Sequence, residues 1–146
     1  LRALIQRVAW SRVETGGKQV SLTGPGMLIL LGVAVPDDEG DAKYLASRSA
    51  SLRIFEDDDG KMNLSIVDTG GEVLVVSQFT LVAETGKGNR PGFGSAAPPE
   101  RAERLYERFI QELEDLGVTP KTGVFGADMA VTLCNDGPVT ILLESK

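Results

Sequence analysis

From Leu4 to Trp10 the side chains alternate. Leu4, Gln6, Val8 and Trp10 fall on one side of an extended chain, and Ile5, Arg7 and Ala9 fall on the other, which is the two-residue period of a strand. Gly16-Gly17 then turns the chain into Lys18-Gln19-Val20-Ser21-Leu22, its hairpin partner. Beyond Thr23-Gly24-Pro25-Gly26 the alternation gives way to a continuous apolar run from Met27 to Val35 that stops at Pro36. Such a run predicts a strand buried on both faces, so something must cover each side of the sheet.

Asp37-Asp38-Glu39 offers acidic residues where a helix N-terminus favours them, and Ala42, Leu45, Ser49 and Leu52 follow at helical spacing. Arg53-Ile54-Phe55 returns to strand, Asp57-Asp58-Asp59-Gly60 turns, and Asn63 to Gly71 reads as loop. Glu72 to Leu81 is the second buried strand, turning polar at Ser77 and Gln78. A buried hydroxyl or amide without a partner costs about 1–3 kcal/mol, so these two side chains either find partners or face a pocket. Val82 to Ala97 holds Gly86, Gly88, Pro91, Gly92 and Gly94 with Lys87 and Arg90, a long loop of mild positive charge.

Pro98-Pro99-Glu100 opens the clearest helix, with Ala102, Leu105, Tyr106, Phe109, Ile110, Leu113 and Leu116 as its apolar stripe and Gly117 as its cap. Val118 to Val124 is another strand. Met129 to Cys134 and Val139 to Leu143 are two more, joined as a hairpin by the turn residues Asn135-Asp136-Gly137-Pro138. The expected fold is α/β with α+β character. It is one domain over residues 1–146, with layered β-sheets covered by two helices in the order β-β-β-α-β-β-α-β-β-β.

Composition changes this picture mainly by what it excludes. The 146 residues contain no histidine and one cysteine, Cys134, which removes Ser-His-Asp and Cys-His nucleophile systems, zincin motifs and thiolate zinc sites. The acidic run at Asp57 lacks the alternating ligands and distal Glu of a calcium loop, so no metal and no cofactor is expected. A net charge of −6 argues against tracking along DNA or RNA, although not against a local contact with one RNA end. With no apolar run long enough for a membrane span, no signal-peptide pattern at Leu1 and a lone cysteine, a cytoplasmic protein is expected.

Ser77-Gln78-Phe79-Thr80, taken with Asn135-Asp136-Gly137-Pro138-Val139-Thr140, resembles the D-aminoacyl-tRNA deacylase family. The resemblance runs through Arg2 to Val8, Leu52 to Phe55, Lys61 to Ser65 and Gly123 to Met129. It implies a homodimeric editing hydrolase that cleaves the ester between a D-amino acid, or mischarged glycine, and the 3′ end of tRNA, with help from the ribose 2′-OH. It also implies a cis Gly137-Pro138 bond that enters the partner's pocket, binds the substrate amino group and leaves no room for an L side chain. Arg7 would hold that motif in orientation, and Phe125 and Met129 would line the substrate site.

In that reading Ser77, Gln78, Phe79 and Thr80 form the catalytic stretch. Backbone N–H groups around Phe79 and Thr80 supply an oxyanion site, and Thr80 positions the water or the carbonyl. Phe79 could stack on the terminal adenine, but an aromatic in a strand is more often core. Lys87 and Arg90 are the tRNA contacts. The chain departs from the family's pattern at Leu1, where Met is usual, at Gly86 and Asn89, in a loop usually more basic, and at Gly92, where a polar residue is common. Two other functions fit the residues: a tRNA-end binding module that does not cut, and a hydrolase of free D-amino-acid esters.

Overall fold

Strand β1, Arg2–Thr15, is the axis of the molecule. In the computed structural model, which describes residues 1–146, one edge of β1 is paired along its whole length with β8, Ala130–Glu144. Its other edge pairs first with β3, Gly26–Gly32, and then with β2, Lys18–Thr23. These contacts are antiparallel. β6, Glu72–Ser77, lies parallel to β3, and the two-residue β7, Lys121–Thr122, lies parallel to β6. The Lys121 ammonium donates to the Leu22 carbonyl at 2.7 Å and the Ser21 hydroxyl donates to the Thr122 carbonyl, so the sheet curls almost into a barrel.

Each face of the buried strands has its own cover. On one side α1, Glu39–Ser51, and α3, Pro99–Asp115, pack on Ala3, Ile5, Met27, Ile29 and Val75. On the other side the sheet covers itself, with Met129, Val131 and Leu133 folding over Leu28, Leu74 and Val76. Glycine at position 26 permits the closest strand approach, because a Cβ there would sit 1.7 Å from the Glu72 carbonyl oxygen.

Both long helices start and stop as their ends require. Asp38 and Asp41 form a reciprocal capping box at α1. Burial alone would raise the Asp41 carboxyl, but the Asp38 N–H and the Lys146 ammonium hold it at about 2. At the end of α3 the Val118 N–H returns to Leu113 O and the Gly117 N–H to Glu114 O, with Gly117 at φ +86°. The α3 stripe is buried as expected except at its margins, where Ile110 is half-buried and Leu116 is exposed.

Several expectations give way. Residues 130–144 form one strand rather than a hairpin, because the whole length of β1 is available as a partner and Asn135–Val139 is absorbed as a bulge. The alternation in β1 reverses past Val8, where the pairing with β8 shifts, so that Ser11 and Val13 rather than Trp10 are buried. Strand β6 ends at Ser77, four residues early, and Phe79–Val82 forms a single 3₁₀ turn. The 63–71 segment is more ordered than a loop. It contains β5, Met62–Leu64, paired with β4, Phe55–Glu56, and then a one-turn helix α2, Ile66–Thr69, capped by Ser65. The expected strand from 118 to 124 shrinks to β7. The order is thus β-β-β-α-β-β-α-β-α-β-β, and the layered arrangement is one curled sheet with a small ribbon.

Candidate active site

Strand β6 carries its chain from the core to an open cleft. The last ladder bond is Gln78 N–H to Leu31 O at 2.8 Å, after which the backbone tightens into the 3₁₀ turn. The opening N–H groups of such a turn have no partner inside it, and those of Phe79 and Thr80 stand at that opening. Ser77 and Gln78 are half-buried, and the Gln78 amide donates to the Thr80 hydroxyl. No acid, base or cation touches these four residues through a hydrogen bond or ion pair.

The cleft beside them measures about 680 Å³ and is mostly apolar. Ser77, Gln78 and Phe79 form one side, and Phe125 and Met129 form another. Asp128 is the one ionisable group in its lining. Phe125 leans on Tyr106, whose hydroxyl donates to Val75 O at 2.9 Å and is pushed up to about 12 by burial. A phenol so bound is a support for the wall and not a proton carrier at neutral pH.

The Asn135–Thr140 segment is built as a tethered corner. Val8 pairs with Asn135 and Gln6 with Thr140, so residues 136–139 bulge opposite Arg7 alone. The Asn135 side chain closes the bulge from within, its oxygen accepting the Val139 N–H at 3.0 Å and its amide donating to Thr140 Oγ1 at 2.9 Å. Arg7, only 9% exposed, holds it from beneath, donating to Asp136 O at 3.0 Å and to Ile54 O at 2.7 Å. The Gly137-Pro138 peptide bond is cis, and both residues are exposed.

The structure therefore divides the expected site residues into groups. Ser77, Gln78, Phe79, Phe125 and Met129 meet around the cleft, and Thr80 stands exposed at its edge, tied to Gln78. Gly137, Pro138 and Arg7 belong to the corner and do not line the cleft of their own chain. Phe79, expected more often in the core, is instead 54% exposed, because the chain leaves the sheet before it. Lys87 and Arg90 are exposed on the loop between Ala83 and Ala97.

Sequence reasoning missed Phe93, which packs edge-on against Phe79 at 5.1 Å, as well as Ala97 and Ala102 in the cleft wall. A lone aromatic between Gly92 and Gly94 was the available signal. The acidic run at Asp57 is accounted for by the turn it makes. The Asp57 carboxylate accepts the Lys61 and Asp59 N–H groups at 3.0 and 2.9 Å, which lowers its pKa.

Comparison with known proteins places this geometry in context. Residues 4–144 match the model of a family described as D-Tyr-tRNA(Tyr) deacylase. Proteins named D-aminoacyl-tRNA deacylase from Desulfatibacillum aliphaticivorans and Roseiflexus castenholzii are 54% and 57% identical. The first alignment covers 100% of both chains, and the second covers 99% of this chain and 92% of the other. A solved structure titled c-Myc DNA Unwinding Element Binding Protein superposes with a TM-score of 0.95 at 41% identity, covering 100% of this chain and 99% of that one. Another, described as a probable eukaryotic D-amino acid tRNA deacylase, shares the fold at a TM-score of 0.84 and 16% identity over 98% of each chain.

Proposed function

The chain belongs to the D-Tyr-tRNA(Tyr) deacylase family, a family of aminoacyl-tRNA ester hydrolases, and from that premise we propose that it is a homodimeric editing enzyme which releases D-amino acids, and glycine mischarged on tRNA(Ala), from the tRNA 3′ end. One observation carries the reading. The tethered corner and the cleft lie on the same chain, yet the corner does not line that cleft. An exposed, stapled backbone projection is suited to another chain's pocket. Seated there, the Gly137 and Pro138 carbonyls accept from the substrate ammonium and fill the space an L side chain needs. A fixed wall sorts enantiomers by exclusion, which is a repulsive device and needs no affinity for the D side chain.

In the cleft the Phe79 and Thr80 N–H groups polarise the ester carbonyl, and the vicinal 2′-OH of the terminal ribose assists attack by water. Water oxygen bonds to the carbonyl carbon, the bond to the 3′ oxygen breaks, and that oxygen leaves protonated as the ribose hydroxyl. The products are the free amino acid and tRNA. No carboxylate or amine is hydrogen-bonded to Ser77, Gln78, Phe79 or Thr80, and a Thr without a base is a weak nucleophile, so the step is direct hydrolysis. Lys87 and Arg90 give a local contact for the acceptor end. A net charge of −6 favours such a point contact over tracking along a duplex, and the DNA-binding name of the structural relative is that protein's own.

The test is deacylation of matched D- and L-aminoacyl-tRNA and of glycyl-tRNA(Ala), without added metal, together with sedimentation of the purified chain. Loss of the D and glycyl esters with survival of the L ester, by a dimer, is the expected result. Equal cleavage of both enantiomers, or a monomer that retains full selectivity, overturns the reading. A terminal 2′-deoxy substrate separates this enzyme from a hydrolase of free amino-acid esters, which would cleave it at an undiminished rate.

A further inference from the structure

The loop from Ala83 to Ala97 is closed at its base. Glu84 and Gly92 exchange both backbone hydrogen bonds, at 2.7 and 2.8 Å, and the Ser95 hydroxyl donates to the Glu84 carboxylate. Residues 85–91 are thereby set apart as a tip, and that tip bears both loop cations, Lys87 and Arg90. Phe93 follows immediately after the closure. Its ring meets Phe79 at 66°, with both rings bordering the cleft, 39% and 54% exposed.

Two half-exposed rings set edge to face form an apolar corner in which one face is open to a flat partner while the other ring's edge limits how far that partner slides. The cations sit on the tip that the Glu84–Gly92 pairing closes off just ahead of Phe93 in the chain, and the polar stretch Ser77-Gln78 lies on the β6 side of Phe79. A ligand that is at once flat, apolar on its faces and joined to a polyanion fits this arrangement.

Resting on the deacylase reading, we propose that Phe93 is a substrate-binding residue, forming with Phe79 the platform on which the terminal base of the tRNA stacks while its phosphates leave over the 85–91 tip. The loop thus sets the polarity of the substrate, with the base against the aromatic pair, the ester at Ser77–Thr80 and the backbone outward. Base stacking tolerates any base, since each has a π-face.

The experiment compares wild type, Phe93→Ala and Phe93→Tyr on D-aminoacyl-tRNA and on the D-aminoacyl ester of ribose without a base. Phe93→Ala is expected to raise KM for the tRNA on the order of ten-fold, within the range of one base–aromatic stack, with kcat unchanged and Phe93→Tyr restoring KM. On the base-free ester Phe93→Ala and wild type should match. Equal losses on both substrates would mark Phe93 as merely structural, and an unchanged KM would remove it from binding; either overturns the inference. If wild type cleaves neither ester, the deacylase reading fails, and NMR titration with adenosine 5′-monophosphate then decides the stacking question alone. Shifted Phe79 and Phe93 ring resonances in wild type, lost in Phe93→Ala, uphold it, and unshifted rings refute it.

Discussion

Arg7 grips Asp136 by its backbone and not by its charge. The guanidinium Nε donates to the Asp136 carbonyl at 3.0 Å, whereas the Asp136 carboxylate stands 3.7 Å away with its side chain 61% exposed. A charged hydrogen bond to a partly buried carbonyl contributes about 1.5–3 kcal/mol, while an exposed ion pair contributes about 0–1 kcal/mol. Arg7→Ala is therefore expected to lower stability by roughly 3 kcal/mol, because the bond to Ile54 O goes as well, and to erode D-over-L selectivity. Asp136→Ala should leave both nearly unchanged. Urea unfolding and paired D and L assays measure the contrast, and equal effects from the two variants would contradict the assignment.

Gly137 has no room for a side chain. At φ +128° a Cβ would sit 2.9 Å from Val139 Cγ2 and 3.0 Å from Arg7 Nη2. Gly137→Ala should cost about 1–3 kcal/mol and shift the corner enough to weaken selectivity. Gly86→Ala is the control, since nothing lies within 4 Å of its Cβ position and its φ is unrestricted. Thermal unfolding of both variants against wild type gives the comparison.

Thr80→Ala should slow deacylation by less than the ~10²–10⁴ typical of a lost general base. The Thr80 hydroxyl is exposed and bonded to Gln78, with no carboxylate, amine or imidazole beside it. Single-turnover rates on D-aminoacyl-tRNA read this directly. A loss inside or above that range would return proton transfer to the protein.

Tyr106 makes the fold sensitive to alkali. Its folded pKa of about 12 exceeds the ordinary tyrosine value of 10.0 because burial disfavours the phenolate. A raised folded pKa means stability that is whole below pH 10 and lost as pH climbs through 12. Tyr106→Phe should flatten the fall in stability over that window while costing about 1 kcal/mol at neutral pH for the lost bond to Val75 O. Urea titrations at neutral pH and across that alkaline window test both halves.

Local chemistry was legible where it acted alone. The alternation from Leu4 to Val8, the Gly16-Gly17 turn, the doubly buried β3 and the α3 stripe with its Gly117 cap each follow from a short stretch of residues. What escaped depends on partners distant in sequence. Asn135-Asp136-Gly137-Pro138 has the composition of a hairpin turn and becomes a bulge because β1 is long enough to pair on both sides of it. Phe79 has strand neighbours and leaves the sheet because the β6 ladder stops at the bond to Leu31. Polarity at the end of an apolar strand leaves Ser77 and Gln78 a choice between partners and a pocket, and the fold gives some of each, since both line the cleft while the Gln78 amide donates to the Thr80 hydroxyl. Phe93 shows itself only once Phe79 is in place.

The closure at Glu84 and Gly92 separates two properties that a single loop would otherwise bind together. Substitution, insertion or a change of sign among residues 85–91 is absorbed above the paired bases of the loop and leaves the aromatic wall below undisturbed. The tip can thus change in length or charge while the backbone pair beneath it keeps Phe93 against Phe79.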